Sequence, residues 1–424
     1  MDLNKKESVI VETVDDLSDD ILDFTCRLVT EPSTLGDEFS ALLVMEDELK
    51  KLGFEPVRVP IDPDSLSEHP GFAPVPWSYE GRYNLVARKE TEGSGGRSVI
   101  FNGHLDVVSP EPISFWENDP FKPFVRDGWL YGRGAADMKS GVAAMTYAVH
   151  ALEKAGFSVN APVTLQSVIE EECSGNGTLA CLLAGYDAEA ALIPEPLGPT
   201  ILTDQLGVLW FKVILRGAPV HVLDTASGTN AVEKCYPLIL ALREMENEMN
   251  SGEFPSGYKE IAHPLNLNIG TIKGGDWPST VPAIAEFHGR MAFFPGMTYE
   301  EMCKEIVETV QDAAREDSWL KEVSPTVEFY GLRGEGFSIS RGLSALKTLN
   351  KCHKSVTGKD AESFKLTATT DCRVFYHFGH AQTTCYGPKG RKMHAENECV
   401  DVESIIHTSK VYALFLSRWC GLAE

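Results

Sequence analysis

Short apolar runs alternate along the chain with amphipathic stretches, and this alternation constrains the fold more than any other feature of the sequence. Continuous apolar runs predict buried strands, whereas apolar residues at helical spacing predict helices. Strands are predicted within 54–60, 84–90, 97–106, 162–172 and 190–196, and helices within 16–32, 38–52, 134–156 and 176–186. Such alternation is typical of an α/β sheet that is flanked by helices.

The pattern changes after about residue 205, where two long helical stretches stand among four strand-like runs. Their order is β-α-β-β-α-β, the split βαβ unit, which has the size of a small domain. We therefore predict an inserted α+β domain at 205–332, within a first domain made of 1–204 and 333–424. Two domains also fit the length of 424 residues, because a single core rarely grows beyond roughly 250–300 residues.

The composition indicates a globular protein with an acidic surface. Lys and Arg number 38 and Asp and Glu 62, and the formal net charge of −24 disfavours nucleic acid and anionic membranes as partners. No apolar stretch approaches the roughly 20 residues that span a bilayer, and the polar, acidic start of the chain is unlike a secretory signal. The ten cysteines include no CxxC pair, which favours reduced thiols. We expect a cytoplasmic protein.

Several acidic and histidine residues stand just after predicted strands or at glycine-containing turns. They are His104, Asp106, Asp137, Glu171, Glu172, Glu195 and His394. Ligands of α/β sheets bind beyond the carboxyl ends of strands, so these side chains fall where a site is expected. Taken singly, each has a structural explanation. A strand-end histidine forms hydrogen bonds, an aspartate before a helix caps it, and an acidic run is usually a solvated turn.

Together these residues form a donor set suited to Zn²⁺, which binds imidazole nitrogen and carboxylate oxygen. Two histidines and three carboxylates could hold two ions, with one carboxylate and one water between them. Such a metal pair, roughly 3.5–4 Å apart, polarises a carbonyl group and lowers the pKa of the water. A further carboxylate that binds no metal is then needed as the general base.

Five segments, taken in order, resemble the motifs of the M20 metallopeptidase family. They are GHLDVV, GRGAADMKSG, IEEECSGNGT, the EP of IPEP, and a late histidine after a GP pair, spread over about residues 80–400. The family includes acetylornithine deacetylase and succinyl-diaminopimelate desuccinylase. The resemblance implies an α/β, mixed-sheet, zinc-hydrolase catalytic domain and, at 205–332, a lid or dimerisation domain that forms a homodimer.

The resemblance also implies the metal ligands. His104 and Glu195 are expected to bind one zinc ion, Glu172 and His394 the other, and Asp137 to bridge the two. Co²⁺ or Mn²⁺ could take the place of zinc, since similar ligands accept each of these metals.

Two further carboxylates receive roles from the same resemblance. Glu171 is expected to be the general base, and Asp106 to orient His104, as metal-bound imidazoles usually require. The Asp-Glu-Glu of the family reads Glu-Glu-Glu here, so the base and the ligand could shift by one residue. The match of the following SGNGT favours Glu171 and Glu172.

Substrate-binding residues are implied less directly. His221 in RGAPVH resembles the GxxxH segment of the family, and it is expected to stabilise the oxyanion in the site of the partner subunit. Asn230, Arg290 and Arg373 stand where related enzymes hold a substrate carboxylate. Arginine suits this role because its guanidinium forms two parallel hydrogen bonds with a carboxylate.

We therefore expect a metal-dependent amidohydrolase that removes an acetyl, formyl or succinyl group from an N-acyl amino acid or a related small amine. A dipeptidase or carboxypeptidase of the same family is the main alternative, because it uses the same site. A non-catalytic or regulatory metal-binding protein is disfavoured, since no ligand or base is missing. An NAD-dependent dehydrogenase is disfavoured too, because GRGAAD does not match GxGxxG.

Overall fold

The computed structural model describes residues 3–91, 95–255 and 257–423, in which strands and helices alternate. The strands are β1 (Val57–Pro60), β2 (Tyr83–Lys89), β3 (Val99–His104), β4 (Phe124–Arg126), β5 (Trp129–Tyr131), β6 (Val163–Val168), β7 (Ala190–Ile193), β8 (Ile201–Gln205), β9 (Gly207–Arg216), β10 (Leu267–Gly274), β11 (Ile284–Phe293), β12 (Thr326–Gly334), β13 (Phe337–Ser338), β14 (Ser363–Leu366), β15 (Gln382–Cys385), β16 (Gly390–Arg391) and β17 (Cys399–Asp401). The α-helices are α1 (Lys5–Asp16), α2 (Ser18–Thr30), α3 (Phe39–Lys51), α4 (Pro63–Leu66), α5 (Ser140–Lys154), α6 (Asn176–Leu183), α7 (Ala231–Met249), α8 (Tyr299–Glu316), α9 (Ser344–Thr357), α10 (Cys372–Phe378) and α11 (Val402–Phe415).

A six-stranded sheet in the order β1-β2-β6-β3-β7-β15 forms the centre of the first domain. The pairs β1–β2 and β2–β6 are antiparallel, whereas β6, β3, β7 and β15 run parallel. β3 and β6 are buried along their whole length, as expected of strands that are covered on both faces. Helix α5 packs on β3 and on α11, and α10 packs on β7 and β15. The predicted α/β class with a mixed sheet is confirmed.

The carboxyl ends of three parallel strands meet at one edge of this sheet. In the pairing register, His104 at the end of β3 stands opposite Val168 at the end of β6. β7 lies on the other side of β3 and runs in the same direction. The acidic run 170–172 and Glu195, which follow β6 and β7, therefore emerge beside His104.

The inserted segment folds as β9-α7-β10-β11-α8-β12, the predicted β-α-β-β-α-β order, with an antiparallel sheet in the order β10-β11-β9-β12. One face of this sheet packs against α7 and α8 through alternate residues such as Phe211, Val213 and Phe287. Because successive strand residues point to opposite faces, Trp210 and His288 belong to the other face, which these helices do not cover.

Two long helices of the first domain, α1 and α11, are not predicted by the sequence pattern. α1 begins at a capping box in which Asn4 and Glu7 satisfy each other's backbone N–H groups, and it buries Ile10 and Val14. α11 is buried continuously from Val411 onwards, so it lacks the amphipathic period by which helices are recognised. The small antiparallel sheet β16-β17-β5-β4 also goes unpredicted, because its strands have only two or three residues.

All ten cysteines are free, and eight of them are buried. Among the residues that the structure describes, no helix has both the length and the apolarity needed to cross a membrane.

Candidate active site

Asp137 lies between the two histidines of the candidate site. Its Oδ1 is 3.2 Å from His104 Nε2, and its Oδ2 is 3.5 Å from His394 Nε2. The same His394 nitrogen lies 3.1 Å from each carboxylate oxygen of Glu172. A carboxylate that turns one oxygen towards each imidazole has the arrangement expected of a ligand that two metal ions share.

The glycine-rich turn before α5 brings Asp137 to this position. Gly134 has a φ of 78°, in the left-handed region that glycine enters without steric strain. A Cβ atom at this position would lie 2.6 Å from the Val107 side chain, so a larger residue would displace the turn. The glycine therefore allows the chain to pass close to the end of β3 before the helix begins.

His104 is buried and held by the residues that follow it. Its Nδ1 lies 2.9 Å from the backbone carbonyl of Asp106, whereas the Asp106 carboxylate is 3.7 Å away. That carboxylate instead accepts a hydrogen bond of 3.1 Å from the backbone N–H of Glu172 and a longer one from Glu171. The predicted orientation of His104 by Asp106 thus involves the Asp106 main chain, while its side chain joins the ends of β3 and β6.

Glu170, the first residue of the acidic run, faces away from the site. Its buried carboxylate accepts hydrogen bonds from Trp77 Nε1 (3.0 Å), Tyr79 Oη (2.6 Å) and Ser174 Oγ (2.7 Å), and forms an ion pair with Arg82. It thereby anchors the long loop between α4 and β2. If the base and ligand roles shifted by one residue, to Glu170 and Glu171, the Glu170 side chain would have to break its contacts with these four partners.

Burial and mutual charge change the ionisation of the clustered groups. Burial lowers the pKa of His104, but the contact with Asp137 and the neighbouring carboxylates outweigh it, so this pKa lies well above its ordinary value. Burial raises the pKa of Asp137, but the two histidines beside it hold that pKa below its ordinary value. Burial and surrounding negative charge raise the pKa of Glu171 and of Glu195 well above the ordinary range. The cluster is therefore short of positive charge.

The donor set fits a divalent cation. One ligand atom each from His104, Asp137 and Glu172 lie within 4.8 Å of one another. His104 Nε2 is buried and forms no hydrogen bond among the described residues, although Asp137 Oδ1 lies 3.2 Å from it. Both atoms are therefore free to bind a metal ion. The carboxylate of Glu195 lies close enough for the charges of Asp137 and His104 to act on it. This mixture of imidazole and carboxylate is one that Zn²⁺ accepts.

A cleft of about 560 Å³ opens between this cluster and the uncovered face of the inserted sheet. Its floor includes Glu171, Glu172 and His394. Its roof is formed by strand residues, namely Val208, Trp210, Asn268, Thr271, Lys273, His288, Arg290, Tyr330 and Leu332. A volume of this size suits a small molecule.

Two cationic side chains of the roof have no acidic partner within the described ranges. Arg290 donates hydrogen bonds to the backbone carbonyls of Asn266 (3.3 Å) and Thr367 (3.5 Å), and burial lowers its pKa to about 10. Lys273 lines the same cleft. An uncompensated cation in a partly buried cleft favours an anionic ligand.

Arg373 lies behind Glu171 and does not line this cleft. It is 3 % exposed, and one guanidinium nitrogen is 4.0 Å from Glu171 Oε1 while another donates to the backbone carbonyl of Ser174 at 3.2 Å. Gly175 and Gly334 make room for it, since a Cβ atom at either position would lie 2.2 or 2.4 Å from the Arg373 side chain. The structure therefore brings Arg373 to the proposed base, and its predicted contact with a substrate carboxylate would require it to leave this packing.

His221 and Asn230 lie on the inserted domain, away from the cleft of their own chain. His221 is exposed, and its Nδ1 accepts a hydrogen bond from the backbone N–H of Leu223. Asn230 caps α7 by accepting from the backbone N–H groups of Val232 and Glu233. Neither residue lines the cleft, and for His221 the predicted site is that of the partner subunit. Both roles stay predictions.

The aromatic part of the roof is not predicted by the sequence. Trp210 and Tyr330 meet edge to face at 5.8 Å between ring centroids, and His288 Nδ1 lies 2.5 Å from Tyr330 Oη. Trp210 stands opposite Arg290 in the register of β9 and β11. The only sequence signal is the i, i+2 spacing of His288 and Arg290 on one strand, which assigns them to one face without saying what that face meets.

Comparison with known proteins identifies the family of this chain. Residues 100–418 match the model of peptidase family M20/M25/M40. The chain therefore belongs to this family, whose members are metal-dependent, and it is a hydrolase that acts on amide bonds.

The curated relatives that the chain matches include two deacylases. The chain is 29% identical over 372 residues to N-formyl-4-amino-5-aminomethyl-2-methylpyrimidine deformylase of Bacillus subtilis, covering 83% of this chain and 86% of that protein. It is 27% identical over 402 residues to succinyl-diaminopimelate desuccinylase of Bordetella bronchiseptica, covering 92% of this chain and 96% of that protein.

Solved structures with the same fold include peptidases. The structure resembles a di-peptidase from Saccharomyces cerevisiae with a TM-score of 0.79 at 16% identity, covering 99% of both chains. It resembles human carnosine dipeptidase 1 with a TM-score of 0.75 at 18% identity, covering 98% of this chain and 99% of that one. At these identities the likeness concerns the fold.

Proposed function

We propose that the protein removes an acyl group of the acetyl, formyl or succinyl type from an N-acyl amino acid or a related small amine. The observation that carries this proposal is Asp137, which turns one oxygen to His104 and the other to His394 at the floor of a cleft. The named relatives, both deacylases, support the reaction class. A dipeptidase is the second candidate, which the fold of the di-peptidases favours.

We propose that the cluster holds two Zn²⁺ ions, for which Co²⁺ or Mn²⁺ can substitute. His104 and Glu195 would hold one ion, Glu172 and His394 the other, and Asp137 both. Metal ions held there would polarise the amide carbonyl and lower the pKa of the attacking water.

Glu171 is the residue that moves the proton in this proposal. Its Oε2 is 4.0 Å from His104 Nε2, so the carboxylate stands beside the ligand cluster, and it lines the cleft where a substrate would lie. Burial raises its pKa well above the ordinary value, which suits a group that takes a proton from water and then gives it to the leaving amine. Arg373, 4.0 Å behind it, would keep its carboxylate turned towards the cleft.

The cleft favours a substrate that carries a carboxylate. Arg290 and Lys273 lack acidic partners among the described residues, and a guanidinium forms strong bidentate hydrogen bonds with a carboxylate. The rings of Trp210 and Tyr330 line the same roof and offer an apolar surface to the remainder of the substrate. An N-succinyl group and an N-acyl amino acid both supply the carboxylate.

The test is amine release from a matched set of substrates. The purified, metal-supplemented protein is incubated with N-acetyl, N-formyl and N-succinyl amino acids, with N-formyl aminopyrimidines, and with dipeptides. Release from an N-acyl amino acid at a higher kcat/KM than from any dipeptide is expected. Faster cleavage of dipeptides would favour the peptidase, and release from none of these compounds would contradict both candidates.

Removal of the Arg290 guanidinium is predicted to weaken the binding of substrates that carry a carboxylate and of no others. In Arg290→Met, we expect kcat/KM for such a substrate to fall by about 10- to 100-fold, because a hydrogen bond to a charged group contributes about 1.5–3 kcal/mol. The loss should appear mainly in KM. The control is the same substrate with its carboxylate converted to an amide, whose kcat/KM should change little. Equal losses for both substrates would contradict a carboxylate contact.

A homodimer through the inserted domain is also part of this proposal. Tyr236 and Leu240, one turn apart on α7, are 56% and 68% exposed, and β10 is an edge strand with unpaired backbone groups beside them. A second copy of the chain would cover this surface and could bring its His221 to the cleft, where Asn230 would also act.

The dimer is checked by light scattering coupled to gel filtration. Leu240→Glu is expected to convert a dimer into a monomer and to lower turnover, because a charge in an apolar interface is costly. Leu183→Glu, on the exposed side of α6 in the first domain, is the matched control and should remain dimeric. A wild-type protein that is monomeric at assay concentration would contradict the proposal.

The ten free cysteines support a reducing compartment, and we propose that the protein works in the cytoplasm.

A further inference from the structure

Glu398 is a fully buried carboxylate that accepts four hydrogen bonds from one short segment. Its Oε1 accepts from the backbone N–H groups of Ala136 (2.9 Å) and Asp137 (3.0 Å). Its Oε2 accepts from the backbone N–H of Gly134 (3.1 Å) and from a guanidinium nitrogen of Arg133 (2.5 Å). The residue is 0 % exposed, so none of these bonds is shared with water.

The main chain of Glu398 holds the same segment. Its carbonyl accepts a hydrogen bond from the backbone N–H of Gly132 at 3.0 Å. The next residue, Cys399, begins β17 and pairs with Tyr131 at the end of β5. The position of Glu398 is therefore fixed by the sheet, and the segment 132–137 is fixed to Glu398.

The Glu398 carboxylate connects the segment that carries Asp137 to the segment that carries His394. Both of these residues are ligands of the proposed metal centre. His394 lies in the connection between β16 and β17, and Glu398 is the last residue of that connection. Asp137 ends the segment that the Glu398 carboxylate binds. The separation of His394 from Asp137, 3.5 Å between Nε2 and Oδ2, thus depends on a link that lies only four residues from His394.

We propose that Glu398 is a positioning residue that holds Asp137 at the distance from His394 at which both can bind the metal. This inference rests on the proposed metal centre, and it concerns a residue that binds neither metal nor substrate. Partners of this kind, one step removed from the metal, commonly change its affinity by about 10- to 100-fold when they are replaced.

The role requires a carboxylate of this length. Glutamine has the same shape, but its amide nitrogen would face two N–H donors where Glu398 offers an acceptor, so two of the four hydrogen bonds would be lost. Aspartate keeps the charge but is one methylene shorter, so it could not reach Gly134 and Asp137 together. Glu398→Gln is therefore expected to release the segment fully and Glu398→Asp in part.

The experiment measures Zn²⁺ binding to the chelator-treated full-length protein by competition with a chromophoric chelator. We expect Glu398→Gln to bind Zn²⁺ about 10- to 100-fold more weakly than the wild type, and Glu398→Asp to lie between the two. Glu396→Gln is the matched control, because Glu396 lies in the same connection but its side chain is 44% exposed, and its ion-pair partner is Lys392 at 3.8 Å. Its affinity for Zn²⁺ should equal that of the wild type.

A second measurement separates positioning from general stability. The thermal unfolding of each metal-free variant is recorded, and affinities are compared at a temperature at which all are folded. If Glu398→Gln binds Zn²⁺ as the wild type does, even with a lowered unfolding temperature, the inference is overturned. If Glu398→Gln does not fold, Glu398→Asp decides by the same criterion. If the wild type itself binds no Zn²⁺, the proposed metal centre fails together with this inference.

Discussion

Replacing Glu171 by glutamine is expected to lower kcat by about 10²- to 10⁴-fold, the usual contribution of general acid–base catalysis. Glutamine nearly keeps the shape of the side chain, but it cannot take a proton from water or return one to the leaving amine. The substrate should still bind, so KM should change little. Metal content should also be unchanged, since Glu171 is not one of the proposed ligands. Steady-state kinetics and elemental analysis of the same preparation check both points.

The neighbouring residue provides the contrast for this test. Glu172→Gln alters a carboxylate that lies 3.1 Å from His394, so we expect this variant to lose metal as well as turnover. The two substituted residues are neighbours in the chain, yet the expected outcomes differ. Glu171→Gln should be inactive although it still binds metal, whereas Glu172→Gln should be inactive because it has lost metal. Near-normal turnover in Glu171→Gln would mean that the base lies elsewhere.

The convergence of the site residues could be predicted because it follows from strand direction. His104 ends β3, and the acidic run and Glu195 follow β6 and β7, which lie on either side of β3 and run parallel to it. Parallel neighbours bring their carboxyl ends to one edge, so strand-end residues far apart in sequence must meet. The inserted domain could be predicted for a different reason, because the β-α-β-β-α-β order of its elements is visible in the sequence pattern.

The supports of the site could not be predicted, because they are contacts with the main chain. The Asp106 carboxylate accepts from the backbone of Glu172, and Glu398 accepts from the backbone of residues 134–137. Backbone N–H groups are present at every residue except proline, so the sequence carries no sign of which ones a carboxylate will bind. A buried acid that satisfies backbone donors looks in the sequence like any acid on the surface.

The cleft depends on how the inserted domain packs against the first domain, and the local sequence pattern of either domain carries no information about this packing. Arg290 and Trp210 face the proposed metal ligands only because the uncovered face of the inserted sheet lies over the ends of β3 and β6. The same limit explains Arg373, which the family resemblance predicts as a substrate ligand but which packs between Gly175 and Gly334 behind the proposed base. Residue type and motif give both arginines the same predicted role, and only their packing separates Arg290, which lines the cleft, from Arg373, which lies beneath it.

Removal of the metal should abolish turnover and destabilise the protein together. The ligand cluster gathers the carboxylates of Asp137, Glu172 and Glu195 around two histidines, and a bound cation relieves their mutual repulsion. A ligand that binds only the folded state stabilises it by about 4 kcal/mol when its free concentration is 1,000 times Kd. We therefore expect chelator treatment to lower the unfolding temperature and to reduce amine release to background, and added Zn²⁺ or Co²⁺ to restore both.

The control for this experiment is Asp137→Asn, which removes the negative charge shared by the two histidines while leaving the fold of the turn. Its unfolding temperature should respond much less to added Zn²⁺ than that of the wild type, and its turnover should not be restored. Magnesium, added at the same concentration, should be a poor substitute, because it prefers oxygen ligands in an octahedron and the site offers two imidazoles. Full turnover in protein that elemental analysis finds free of metal would contradict a metal-dependent reaction at this cluster.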